Sequence, residues 1–112
     1  MVVDDEPDLR DLITMTLSFD SRVEVVRVAG SAEDALEAEA VDLVVLDHWL
    51  GGPVTGVEVA AALRARFPGV RVLLFTADAD VEIDLRDGAI DAVVAKPDLA
   101  NLPDAVVDLM SR

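Results

Sequence analysis

The sequence predicts an α/β domain built on one five-stranded parallel sheet, doubly wound as (βα)5 with helices on both faces. Three observations predict it. Short runs rich in Val and Leu recur along the 112 residues, and they are apolar on both faces, as strands covered from both sides are. Amphipathic stretches of helical period lie between them. Cysteine is absent and only 4% of residues are aromatic. The core must therefore be assembled from Val, Leu, Ile and Ala, without disulfides or thiolate-bound metal. A chain of this length makes one domain large enough to bury such a core.

Each element follows in order. Met1-Val2-Val3 predicts a very short first strand, ended by Asp4-Asp5. Pro7 suits the first turn of a helix, and Leu9, Leu12, Ile13 and Leu17 recur at helical spacing to form its inner face. Val23–Ala29 predicts the second strand. Ser31-Ala32-Glu33-Asp34 resembles a capping box and places a helix start there. Leu43–Leu46 predicts the third strand, ended by Asp47. Thr55-Gly56-Val57-Glu58 opens the next helix, with Val59, Ala60, Leu63 and Phe67 inward and Pro68-Gly69 as its stop.

Val70–Phe75 predicts the fourth strand, ended by Thr76. The stretch Val81–Arg86 alternates apolar and charged residues as a strand would, yet the alternating order demands a helix. Val81/Leu85 and Glu82/Arg86 supply i,i+4 pairs, so a helix is expected. Ala92–Ala95 predicts the fifth strand, ended by Lys96. Pro103 sits in the first turn of a last helix, with Leu102, Ala105, Val106 and Leu109 inward. Right-handed crossovers then place helices on both faces of the sheet.

The formal net charge is −14, and the acids are spread along the whole chain. Nucleic acid and anionic membrane are excluded as direct partners, because both need clustered Lys and Arg. No apolar stretch reaches the length that spans a bilayer. Met1-Val2-Val3 runs straight into acids, without the basic start of a signal peptide. A soluble, cytoplasmic protein is expected.

Ligands of such sheets bind at the carboxyl ends of the strands, near the point where strand order reverses. Asp4, Asp5, Asp47, Thr76 and Lys96 all end strands and therefore fall on that one edge. Lys96 is the only lysine among nine basic residues. A compact ammonium can enter a pocket and touch a phosphoryl oxygen, whereas the broad guanidinium suits bidentate pairing. Three converging carboxylates repel one another, and a hard divalent cation such as Mg²⁺ relieves the repulsion. Cation, carboxylate nucleophile, hydroxyl donor and ammonium are the parts that phosphoryl transfer to an aspartate requires.

The motifs Val2-Val3-Asp4-Asp5-Glu6-Pro7, Val44-Val45-Leu46-Asp47, Leu74-Phe75-Thr76-Ala77 and Lys96-Pro97 together resemble the receiver domain of two-component response regulators. The resemblance covers essentially the whole length. Each motif is weak alone; in this order and at this spacing they are specific. The resemblance implies a flavodoxin-like receiver fold, with Asp47 as the phosphoacceptor that attacks a kinase phosphohistidine. It implies Mg²⁺ held by Asp4, Asp5, Asp47 and the backbone carbonyl of Trp49. Thr76 would donate its hydroxyl to the phosphoryl group, Lys96 would pair with the phosphoryl oxygens, and the peptide bond from Lys96 to Pro97 is expected to be cis.

The implied partners are a sensor histidine kinase or phosphotransfer protein and a downstream protein target, with the chain a monomer or weak homodimer. Signalling would pass through a surface around Val81–Arg86, Ala92–Ala95 and the last helix. One receiver domain over residues 1–112 is expected, with no output domain, either standing alone or cut from a longer protein. It would be a signalling module, not an enzyme.

Several positions depart from the family pattern. Val93 stands where an aromatic is usual, Asp98 follows Lys96-Pro97 in place of phenylalanine, and the turn after Asp47 is one residue longer than the common form. The first strand also begins unusually close to Asp4. An aspartyl-phosphate phosphatase would need a second acid where Trp49 stands. A flavodoxin-like cofactor binder would need a phosphate loop where Asp4-Asp5-Glu6 would repel phosphate. A receiver that binds partners without phosphorylation is the remaining alternative. Neighbouring side chains near a strand end point to opposite faces, so His48 is expected as a partly exposed loop residue without a catalytic role. The Trp49 ring either restricts water near Asp47 or simply covers the loop.

Overall fold

The computed structural model describes residues 1–77 and 90–111, with the side chains of Pro97 and Asp98 left outside that set. Five strands, Val2–Val3 (β1), Val28–Ala29 (β2), Leu43–Leu46 (β3), Arg71–Thr76 (β4) and Ala92–Ala95 (β5), form one sheet in the order β2-β1-β3-β4-β5. Every adjacent pair is parallel. The helices are Pro7–Ser18 (α1), Ala32–Leu36 (α2), Gly56–Arg66 (α3) and Leu102–Met110 (α4), the last entered through a 3-10 turn over Lys96–Asn101. The expected helix over Val81–Arg86 lies outside the described residues.

Alternation along β3 and β4 sorts their side chains into two cores. Val44, Leu46, Val72 and Leu74 join Val59, Ala60 and Leu63 of α3 and Ala35 of α2 on one face. Leu43, Val45, Leu73 and Phe75 join Ile13 and Leu17 of α1 and Leu102, Val106 and Leu109 of α4 on the other. Burial of each such Leu or Val contributes about 2 kcal/mol, so the two-sided sheet is what fixes the sandwich.

The helix starts form as their sequences dictate. Ser31 accepts the Asp34 amide at 3.1 Å, and Thr55 accepts the Glu58 amide at 3.4 Å. Pro7 and Pro103 occupy first turns, where their missing N–H removes no hydrogen bond. Phe67 caps α3 just before Pro68-Gly69.

Three expectations need correction. The second strand is far shorter than Val23–Ala29, because β1 offers only Val2 and Val3 as ladder partners, opposite Val28 and Ala29. Val23 and Val25 still turn toward the core, but Glu24 and Val26 face out. Leu12 is exposed rather than inward, leaving Ile13 and Leu17 as the buried residues of α1. Finally, β5 is a sheet edge, and Val93 is 39% exposed rather than covered.

Candidate functional site

The sheet order reverses between β1 and β3: the chain leaves β1 toward β2 on one side and returns to β3 on the other. The crevice at the carboxyl ends of these strands is the usual ligand position in such sheets. Asp4 follows β1 and Asp47 follows β3, and the Asp47 amide donates to the Val3 carbonyl at 3.0 Å. Backbone pairing therefore sets the two carboxylates side by side.

Asp4 and Asp47 are buried while Asp5 is exposed, and a carboxylate oxygen from each lies within 4.8 Å of the others. Lys96 follows β5 and crosses to them. Its Nζ stands 2.9 Å from Asp47 Oδ2 and 3.3 Å from Asp4 Oδ2. Thr76 ends β4 fully buried. Since β3 and β4 align Leu46 with Leu74, Thr76 lies one residue beyond the position level with Asp47. Trp49 donates its amide to Asp47 Oδ1 at 3.4 Å and bridges to Thr55 across the loop.

The charges do not balance. Asp4, Asp47 and Lys96 carry one net negative charge, and Asp5 adds another. Burial pushes the Asp47 carboxyl above its ordinary range; the hydrogen bond and charge of Lys96 pull it back, and the charge of Asp4 adds to the rise. Burial alone would lower the Lys96 pKa, but the bond to Asp47 and the two carboxylates outweigh it and raise the value. The two shifts differ in origin: burial is the main cause for Asp47, whereas the neighbouring carboxylates raise Lys96 against the effect of burial.

Asp4 Oδ2 is buried without a hydrogen bond. A buried carboxylate oxygen left in this state beside further carboxylates suits a hard cation. The donor set fits Mg²⁺.

The sequence reading of His48 needs correction. Its side chain is only 8% exposed, and its ring meets the Trp49 ring edge-on with centroids 4.4 Å apart. Its carbonyl accepts the Gly56 amide at 2.7 Å, which draws the residue under the loop. The Trp49 ring itself is 55% exposed. The expected cis bond between Lys96 and Pro97 involves a residue whose side chain lies outside the described set; among the described residues no peptide bond is cis.

Two residues contribute that the motifs did not reveal. A Cβ at Gly56 would stand 2.4 Å from the Asp47 carbonyl and 2.8 Å from His48 Cα, so only glycine lets α3 start against the phosphoacceptor candidate. Arg10 donates to the Asp4 carbonyl at 2.9 Å. The one sequence signal for Arg10 is a cation a helical turn beyond an acidic run.

Residues 1–107 match the family model described as the response regulator receiver domain. The chain belongs to that family. It is the receiver domain of a two-component response regulator. It is 37% identical over 83 residues to the probable transcriptional regulatory protein TcrX of Mycobacterium tuberculosis, covering 73% of this chain and 35% of that protein. It is 37% identical over 103 residues to the DNA-binding response regulator MtrA of Mycolicibacterium smegmatis, covering 87% of this chain and 43% of that one. The receiver domain thus spans less than half the length of either relative.

Among solved structures, the response regulator TrrA of Thermotoga maritima, in complex with Mg²⁺-BeF, superposes with a TM-score of 0.83 at 31% identity, covering 96% of this chain and 95% of that one. The receiver domain of NtrX from Brucella abortus gives 0.81 at 28% identity, covering 97% and 94%. The doubly wound fold expected from the sequence is the fold of these receivers. Among the described residues of this receiver domain, no helix is long and apolar enough to cross a membrane.

Proposed function

We propose that Asp47 accepts a phosphoryl group from a phosphohistidine of a sensor histidine kinase or phosphotransfer protein. The observation that carries this reading is one ammonium held between two buried carboxylates at the carboxyl edge, with Lys96 Nζ 2.9 Å from Asp47 and 3.3 Å from Asp4. A structural ion pair would need one acid for one base. Here the acids are in excess and one oxygen is left without a hydrogen bond.

The residues take these roles. An Asp47 carboxylate oxygen attacks phosphorus and forms the new P–O bond. The P–N bond breaks, its electron pair returns to the imidazole nitrogen, and that nitrogen takes a proton from solvent. Lys96 transfers its hydrogen bond from the Asp47 carboxylate to a phosphoryl oxygen, a move of a few ångströms for a flexible ammonium. The Thr76 hydroxyl donates to another phosphoryl oxygen. Asp4, Asp5, Asp47 and the Trp49 carbonyl would hold Mg²⁺, which neutralises charge on carboxylate and phosphoryl oxygens alike. The resulting acyl phosphate changes the surface that a downstream protein reads. We place this work in the cytoplasm, carried out by the domain itself without nucleic acid as its direct partner. The DNA-binding relative is a longer protein.

A second reading, a receiver that binds partners without phosphorylation, is favoured by Val93. It leaves the edge strand without the usual aromatic and is itself part-exposed. Beryllofluoride with Mg²⁺, a mimic of the acyl phosphate, separates the two. Amide resonances around Asp47, Thr76 and Lys96 are expected to shift in the wild type and to stay in place in Asp47→Ala. A wild type that stays in place too would leave the second reading standing.

A further inference from the structure

Asp4 is held at three of its four polar groups. Its amide donates to the Ala29 carbonyl at 3.2 Å, its Oδ1 accepts the Glu6 amide at 2.9 Å, and its carbonyl accepts an Arg10 guanidinium N–H at 2.9 Å. Only Oδ2 is left without a hydrogen bond, facing Lys96.

The Arg10 contact is the one not dictated by strand or turn geometry. Arg10 lies in the first turns of α1, and its guanidinium passes over Gly30, just beyond β2. A Cβ at Gly30 would stand 2.7 Å from the nearest Arg10 terminal nitrogen. The backbone of Gly30 is not in the left-handed region, so the missing side chain serves room, not conformation. Arg10 is surrounded in sequence by Asp4, Asp5, Glu6, Asp8 and Asp11. Among the described residues it makes no ion pair with any of them and binds main chain instead.

We infer that Arg10 is a positioning residue for the Mg²⁺ site, acting through the Asp4 main chain, with Gly30 as the notch that admits it. This rests on the Mg²⁺ reading above. Arg10 ties α1, the exit of β1 and the end of β2 together. The turn carrying Asp4 and Asp5 then presents both carboxylates without rearrangement when a cation arrives. Partners that orient metal ligands in this way are worth roughly tenfold to a hundredfold in affinity.

The sign of the effect makes the inference testable. A guanidinium acting only as a nearby charge repels Mg²⁺, and its removal would tighten binding. A guanidinium acting as a clamp does the opposite. Calorimetric titration of the full chain with Mg²⁺ alone compares wild type, Arg10→Gln, Gly30→Ala and the double variant. Arg10→Gln is expected to bind about tenfold more weakly. Gly30→Ala keeps every charge and every ligand but pushes the flexible guanidinium aside; it is expected to weaken binding as well, and to add nothing in the Arg10→Gln background.

Amide exchange at Asp5 and Glu6, measured without metal, should speed up in both single variants. Unchanged or tighter binding by Arg10→Gln overturns the inference, as does a Gly30→Ala effect that persists undiminished in the double variant. A wild type that takes up no Mg²⁺ brings down the Mg²⁺ reading itself, and this inference with it. Variants that match a Mg²⁺-binding wild type overturn the inference alone.

Discussion

Two clusters of carboxylate and cation stand at opposite ends of the same sheet, and they are built differently. At the amino end of β5, Asp91 accepts one Arg64 nitrogen at 2.8 and 3.1 Å and the Val72 amide at 2.7 Å. The same Arg64 nitrogen also donates to the Val70 carbonyl at 3.0 Å. One acid meets one base, and both carboxylate oxygens are satisfied. At the carboxyl end, one lysine serves two buried acids, a third acid stands beside them, and Asp4 Oδ2 has no hydrogen bond. A balanced cluster joins elements, here α3, β4 and β5. The unbalanced one leaves negative charge uncompensated, which is the observation behind the proposed Mg²⁺ site.

Breaking the balanced cluster is expected to have the largest effect on stability. Asp91→Ala leaves the Val72 amide without its acceptor and Arg64 with only the Val70 carbonyl. It should lower unfolding free energy by about 2–3 kcal/mol, equally with and without Mg²⁺. Chemical denaturation in both conditions measures it, and a Mg²⁺-dependent loss would erase the contrast between the two ends.

Lys96→Met comes next. Two buried carboxylates lose their cation, so the metal-free domain should lose about 2 kcal/mol. Mg²⁺ should bind roughly tenfold more tightly, because the competing positive charge is gone. The folded-state pKa of Lys96 is raised above its ordinary 10.5. Its contribution is thus fully present below the unfolded value and is lost only as pH rises through the folded one. Near neutrality this contribution should be flat with pH.

Asp47→Asn should act in the opposite sense. The folded Asp47 carboxyl titrates above its unfolded counterpart, so stability is lost as pH rises from the ordinary carboxylate range through the folded value. The variant escapes that loss. Without metal it should be more stable than wild type at neutral pH, and the two curves should meet in acid. Saturating Mg²⁺ should reverse the order, because the variant has lost a ligand. Thermal midpoints across a pH series test this.

The smallest effect belongs to a surface pair. Asp20 bonds Arg22, and that side-chain hydrogen bond lowers its carboxyl pKa to about 2. Its stabilisation is present above the unfolded value and fades as pH falls toward the folded one. Arg22 is exposed and Asp20 is part-exposed at the surface, so Asp20→Asn should shift the thermal midpoint least of these variants. A clear shift would mean that this surface pair stabilises the fold on the scale of the two clusters at the sheet ends.

The sheet was legible because its inner strands carry unbroken apolar runs, and the convergence of Asp4, Asp5, Asp47 and Lys96 because these residues stand just beyond strand ends. Val23–Ala29 was over-read for a related reason: the run is apolar enough for a strand, but a ladder needs a partner, and β1 supplies two residues. His48 was misread because alternation beyond the strand end does not account for a loop pulled under by the Gly56 amide. Arg10 left only a faint signal, a cation one helical turn beyond an acidic run, and Gly30 left none, because main-chain clamps and notches impose no pattern of residue types. Thr76 and Lys96 were legible only as members of a set; each alone reads as an ordinary strand end.

The central claim is that the unbalanced cluster is a phosphoacceptor pocket. Its most direct test is exposure of the chain to a small-molecule phosphodonor with Mg²⁺, followed by intact mass and mapping of the modified peptide. The account predicts one alkali-labile, hydroxylamine-sensitive phosphoryl group on the peptide containing Asp47, absent when Mg²⁺ is chelated and absent in Asp47→Asn. No adduct on the wild type, or an adduct that survives in Asp47→Asn, would contradict it.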